Sequence, residues 1–157
     1  MTVLTVILIA LFLTIMGLVS KIQGTARVVN YAGLVRGKTQ RIIKLEDAKQ
    51  PQDEMIESVS SFIEGLRYGS DEQNLVRLDD HAFQNKMKEL DEHFQELQKE
   101  IRQVRKEGYE NTEIIEKSEA FFGICDEATG LAEKYAQKKA TALERLEKIV
   151  IADIIGL

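Results

Sequence analysis

The segment Thr2–Ser20, TVLTVILIALFLTIMGLVS, carries no charged residue and matches the roughly 20 residues a helix needs to cross the hydrocarbon core of a bilayer. Neither a basic leader nor a small-residue cleavage site accompanies it, so it reads as an uncleaved transmembrane anchor and not as a signal peptide. That feature ties whatever follows to a membrane surface. At the other end, KIVIADIIGL turns apolar after a long charged stretch, is interrupted by Asp153, and reads as the first turns of a second span cut off at Leu157. The expected division is a transmembrane helix over 2–20, a helical bundle over 21–148 and the start of a truncated second span over 149–157. On that reading the chain is expected to be the membrane-proximal input region of a longer protein, with the lack of charge before the first span pointing to trimming there too.

Between these ends the composition is that of long helices. Glu, Lys, Gln, Leu, Ile and Ala dominate, tryptophan is absent and Pro51 is the one proline. The first helix is predicted to run unbroken out of the membrane to about Ala48, with a seam at Ile22, Ala26, Val29, Ala32 or Gly33, Arg36, Thr39 and Ile43. Pro51 then ends it and suits the first turn of a second helix, about Gln52 to Tyr68, which Gly69 closes. A third helix starts behind Asp79 or Asp80 as N-cap. It carries Phe83, Met87, Leu90, Phe94, Leu97, Ile101 and Val104 at alternating steps of four and three, and Gly108 ends it. The fourth starts at an Asn111 cap and repeats through Ile115, Ser118, Phe122, Cys125, Thr129, Ala132, Ala136, Lys139, Leu143, Leu146 and Val150. The expectation is all-α: an up-down-up-down four-helix bundle whose first helix is continuous with a span, supercoiled left-handedly, and paired as a homodimer with that helix near the axis.

Several chemistries find no residues to carry them. The net charge of −5 comes from interleaved acids and bases with no basic block, which argues against nucleic-acid binding. His81 and His93 lack the spacing that lets two imidazoles share a metal, and His81 reads as a first-turn surface residue. No phosphate-cradling loop or nucleophile elbow occurs, so no catalytic residue, metal site or cofactor is expected, and the fragment does not read as an enzyme. Cys125, in FFGICDEA, reads as a packed core residue.

The stretch NYAGLVRGKTQR, Asn30–Arg41, stands apart. Gly33 and Gly37 lie four residues apart inside a helical pattern, where each costs roughly 0.5–1 kcal/mol relative to alanine. They form a flat patch that lets another backbone approach, and Arg36 lies on or near the same face. A guanidinium held between helices needs a partner, either a carboxylate or a bound anion. In a dimer with this helix at the axis, two copies of Arg36 meet and one anion accepting hydrogen bonds from both relieves their repulsion. The alternative is a pair between Arg36 and a glutamate of the fourth helix, with the glycines serving close packing alone.

The run ARVVNYAGLVRGKTQRIIKLE, Ala26–Glu46, resembles the box at the start of the extracytoplasmic sensor domain in bacterial nitrate/nitrite sensor kinases and type IV pilus methyl-accepting chemotaxis transducers. Asn30, Ala32, Gly33, Arg36, Thr39 and Arg41 match its pattern in order. The resemblance implies a dimeric bundle outside the cytoplasm, between two spans, feeding a kinase, chemotaxis or cyclic-dinucleotide output, with the arginine at Arg36 gripping an anion. A count of Lys21, Arg27, Arg36, Lys38 and Arg41 beside the first span taken alone favours the cytoplasm, but the resemblance weighs more. Where the nitrate sensors carry lysine this chain has Tyr31, and Gly37-Lys38 replaces a methionine and a polar residue, so the resemblance extends to a small anionic or polar ligand without reaching nitrate. The candidate ligand-binding set is Arg36, Asn30, Tyr31, Gly33 and Gly37. The competing expectation is a membrane-anchored structural or scaffolding bundle without ligand.

Overall fold

The computed structural model describes residues 2–156; Met1 and Leu157, the last residue of the expected second span, lie outside the described residues. In chain order the helices are α1 (Thr2–Asp47), α2 (Asp53–Tyr68), α3 (His81–Glu107) and α4 (Ile114–Gly156). α1 packs on α2 and α4, and α3 packs on α2 and α4, so the four close a ring in chain order. This is the all-α, up-down-up-down bundle that the periodicity predicts.

α3 shows why the pattern works. Its seven predicted apolar positions, Phe83 through Val104, are all buried, and the Asp80 carboxylate accepts the Phe83 N–H at 3.0 Å to cap its start. Against this stripe pack Val59, Ile63 and Leu66 of α2, Val28, Val35 and Ile42 of α1, and Phe121, Cys125, Ala128 and Ala132 of α4. Burying a side chain of this size contributes about 1.5–3 kcal/mol.

Elsewhere the structure corrects the predicted register. The buried line of α1 is Thr25, Val28, Ala32, Val35, Thr39, Ile42 and Glu46, so Ala26 is exposed and Val29, Arg36 and Ile43 lie on the flank of the seam. Helix α4 begins at Ile114, not at an Asn111 cap, and Ile115 points outward, 66% exposed. Nor is Pro51 in the first turn of α2, because Gln52 occupies the N-cap position. The end of α1 is set by Lys49, held at φ 60. Its N–H bonds to Glu46 O at 2.9 Å and the Gln50 N–H to Leu45 O at 2.8 Å, the paired bonds of a Schellman ending.

The α2–α3 connection does more than turn the chain. Gly69, at φ 84, leads into a single antiparallel bridge between Ser70 and Leu75, and Leu75 and Leu78 drop into the core. The loop leans on α1 at Gly24, where a Cβ would stand 3.0 Å from Val76. Arg27 secures it by donating to Asn74 O at 2.9 Å.

Both α1 and α4 outrun the bundle and continue together, Leu4, Ile7, Leu8 and Leu11 lining one groove with Val150, Ala152 and Ile154. The most apolar 18-residue window of α1 has mean hydropathy 2.7 and no residue buried within the fold. By length and composition that stretch is able to cross a membrane.

Candidate functional site

Arg36 sits in the outward groove between α1 and α4, with its side chain 35% exposed. Its Nε lies 2.9 Å from Oδ1 of Asp126, itself 63% exposed. The contact lacks the alignment of a hydrogen bond, since the buried Nε has no hydrogen-bond partner. The guanidinium carbon also stands 5.3 Å from the centre of the Phe122 ring, a cation–π arrangement. The arginine therefore finds its carboxylate on α4, as the alternative anticipated, with an aspartate in place of the glutamate.

The glycines face away from the core. A Cβ at Gly33 or Gly37 would meet nothing within 4 Å, and the same holds for Gly123 and Gly130 of α4. At 100° per residue, Gly33 lies about 60° and Gly37 about 100° around α1 from Arg36, both on its outward side, and Gly123 and Gly130 lie within about 60° of Asp126 on α4. The outer surface of the α1–α4 pair is thus a saddle poor in side chains, with an ion pair in its groove. Within the described residues no helix approaches these glycines, so close packing inside the bundle does not account for them.

The other candidates divide. Asn30 is exposed on the same stripe as Gly33 and Gly37. Tyr31 points elsewhere, about 140° around α1 from Arg36, and its ring meets Phe62 of α2 edge-on at 4.9 Å. Lys38 faces that side too, 5.4 Å from the Phe62 ring centre. Asn30, Gly33 and Gly37 share one exposed stripe, on which Gly33 is nearest Arg36 at about 60° and Asn30 stands about 120° around the helix from it, while Tyr31 lies on the α2 side.

Two polar clusters at the far end of the bundle escaped sequence reasoning. The buried Glu46 carboxylate accepts from Arg105, which also reaches Asp53 at 2.8 Å, while the Tyr109 hydroxyl donates to the Glu46 carbonyl. These carboxylates hold the Arg105 pKa above its ordinary value, Glu46 most of all. The second cluster centres on Glu100, 5% exposed. It accepts the Glu113 N–H at 2.9 Å, the Thr112 hydroxyl at 3.0 Å and the Lys117 ammonium at 2.9 Å. Those donors, the Glu113 N–H first and Lys117 next, hold its carboxyl below the usual range. The first cluster ties the end of α1 to α2 and α3, and the second ties α3 to the start of α4.

Cys125 is fully buried, and burial pushes its thiol up to about 12. His81 is exposed at the start of α3. Among the described residues no three His, Cys, Asp or Glu side chains are grouped to hold a metal ion.

The bundle is thus a four-helix domain whose first helix has a stretch long and apolar enough to cross a membrane. No curated protein and no solved structure matches the chain. The PilJ family, the N-terminal region of type IV pili methyl-accepting chemotaxis transducers, matches residues 18–115, and the chain belongs to that family.

Proposed function

We propose that the chain is the ligand-sensing input bundle of a transmembrane transducer, standing on the extracytoplasmic side and paired as a homodimer across the α1–α4 face. A small anionic or polar ligand is held there by Arg36 and its copy. The observation that carries this reading is the part-exposed arginine paired with an exposed aspartate in a saddle flanked by glycines. A surface ion pair contributes about 0–1 kcal/mol, so an anion delivered between two copies competes with Asp126 on nearly even terms. Missing side chains let a second backbone come close. Two guanidiniums brought together across a two-fold axis repel, and one anion accepting from both relieves that repulsion. Because α1 is unbroken from Arg36 to the apolar stretch, a repacking of about one to two ångströms at the saddle is carried along its length.

Calorimetric titration of the full chain with a panel of small anions, beside Arg36→Ala, tests the ligand: some anion binds the wild type more tightly, and none doing so defeats that half of the reading. Disulfide capture of Gly37→Cys tests the dimer face, and a failure to cross-link defeats it. Gly37→Ala is expected to stabilise the separate bundle by about 0.5–1 kcal/mol, since the position is open, while weakening the dimer. The runner-up, an anchored scaffolding bundle without ligand, is favoured by the fact that Arg36 already has Asp126 beside it. On that reading Arg36→Ala alters dimerisation and leaves anion binding unchanged.

A further inference from the structure

Along the extension of α4 below the bundle, Lys134, Lys138 and Arg145 fall on one helix face and line a shallow groove with Gln137, Thr141 and Ala142. All three cations are exposed. None has an ion-pair partner among the described residues, whereas Lys148 has Glu144 at 3.7 Å and Lys139 stands over the Tyr135 ring. The acids of residues 133–148, Glu133, Glu144 and Glu147, all lie more than about 100° around the helix from Lys138, and Asp153, about 60° around, comes only about two turns beyond Arg145 in the apolar end. Over residues 133–148 charge is therefore sorted by face, with one flank purely cationic.

The level of this stripe follows from the antiparallel register of α1 and α4, fixed above by Arg36 beside Asp126 and below by Leu4–Leu11 beside Val150–Gly156. One residue down α1 for each residue along α4 puts Ser20 and Lys21, where the uncharged stretch ends, about level with Thr141. The apolar end of α4 starts only at Ile149, about 12 Å deeper at 1.5 Å per residue. Between the two levels α1 offers Leu13, Met16 and Leu18 while α4 offers charge. A bilayer has one such mixed layer on each side, the phosphate headgroups that flank the hydrocarbon.

We propose that Lys134, Lys138 and Arg145 bind anionic phospholipid headgroups and so set the depth at which α4 meets the membrane. Lys134 and Lys138 stand above the level of Ser20, and Arg145 lies about one turn below it, within reach of the phosphates by extending its stem upward. The inference rests on the membrane reading of α1. A juxtamembrane cation near an anionic surface strengthens association about fivefold.

The test is native mass spectrometry of the full chain after incubation with equimolar phosphatidylcholine and phosphatidylglycerol, with flotation on phosphatidylcholine liposomes alongside. Wild type is expected to retain phosphatidylglycerol preferentially. Lys138→Gln lowers the preference about fivefold, the triple change Lys134→Gln/Lys138→Gln/Arg145→Gln removes it, and Lys138→Arg or the remote Lys106→Gln keeps it. Circular dichroism checks that the triple variant stays helical. A wild type without preference, or a triple variant that retains it, overturns the proposal while flotation leaves the membrane reading standing. If neither protein floats, the membrane reading fails and takes this inference with it.

Discussion

Removing the Glu100 carboxylate is expected to loosen the start of α4. In Glu100→Ala three donors lose their acceptor at once: the Glu113 N–H, the Thr112 hydroxyl and the Lys117 ammonium. Hydrogen bonds to a charged group contribute about 1.5–3 kcal/mol each, yet they do not simply add. Lys117 is 32% exposed and can turn to water, and the Thr112 hydroxyl can rotate, so the loss that no rearrangement repairs is that of the backbone donor and its carboxylate. The net cost is about 2–4 kcal/mol, or roughly 5–15 °C in melting temperature for a chain of this size. Glu100→Gln, which keeps the shape and one acceptor oxygen, costs less.

The pH dependence gives the sign. The folded state depresses the Glu100 pKa, so the unfolded chain binds the proton more readily and this contribution grows as pH rises. It is fully present above the unfolded value of about 4.3 and is lost as pH falls through the folded one. The melting difference between wild type and Glu100→Gln, followed by circular dichroism on the full chain in detergent, is expected to be constant near neutrality and to shrink below about pH 4.3. A difference that does not change with pH, or a cost for Glu100→Ala under about 1 kcal/mol, would show that the three contacts do not act as described.

Phe94→Ala should cost about 3–5 kcal/mol in urea denaturation, because the ring is 1% exposed and stands 5.5 Å from Phe121; a cost under about 1 kcal/mol would contradict its place in the core. Cys125 should resist a thiol reagent at mildly alkaline pH and react on unfolding, its thiol being buried and pushed up to about 12; rapid labelling of the native chain would refute this. Gly24→Leu should push the 69–80 loop off α1, since even a Cβ there stands 3.0 Å from Val76. Faster amide exchange in that loop is the expected signature, and unchanged exchange would mean that Val76 yields freely.

What the sequence revealed depended on how sharply each helix separates its faces. α3 alternates large apolar residues with charges, so only one register buries the former, and its seven positions were readable. α1 has neighbouring pairs such as Val28-Val29 and Ile42-Ile43, with small residues on most sides, so two registers one residue apart look alike. α2 and α4 decide between them in three dimensions. That one-residue difference moves Arg36 from the middle of the seam to the groove facing outward. Glu46 continues the step of four after Ile42, which was its only sign; Glu100 had none, because a buried carboxylate among 26 acids is distinguished by its donors. The Asn30–Gly37 face was legible as a patch of missing side chains. Its outward direction was not, since that depends on which neighbours α1 has.

The polar contacts grade in strength along the bundle, and the gradient bears on the proposed signalling. At the far end buried carboxylates hold Arg105 and Lys117, and removing a partner there leaves a charge that is costly to abandon. Midway the aromatic core of Phe94, Phe121 and Phe122 joins α3 to α4. Across the α1–α4 groove there is Arg36 with an exposed aspartate, a contact contributing about 0–1 kcal/mol. A ligand with a few kcal/mol of differential affinity cannot dismantle the far end, but it can exchange the partner of Arg36. On the proposed reading the distal clusters fix the tops of α1 and α4, and the groove below is where the two can shift. Motion then concentrates in the two helices that leave the bundle together.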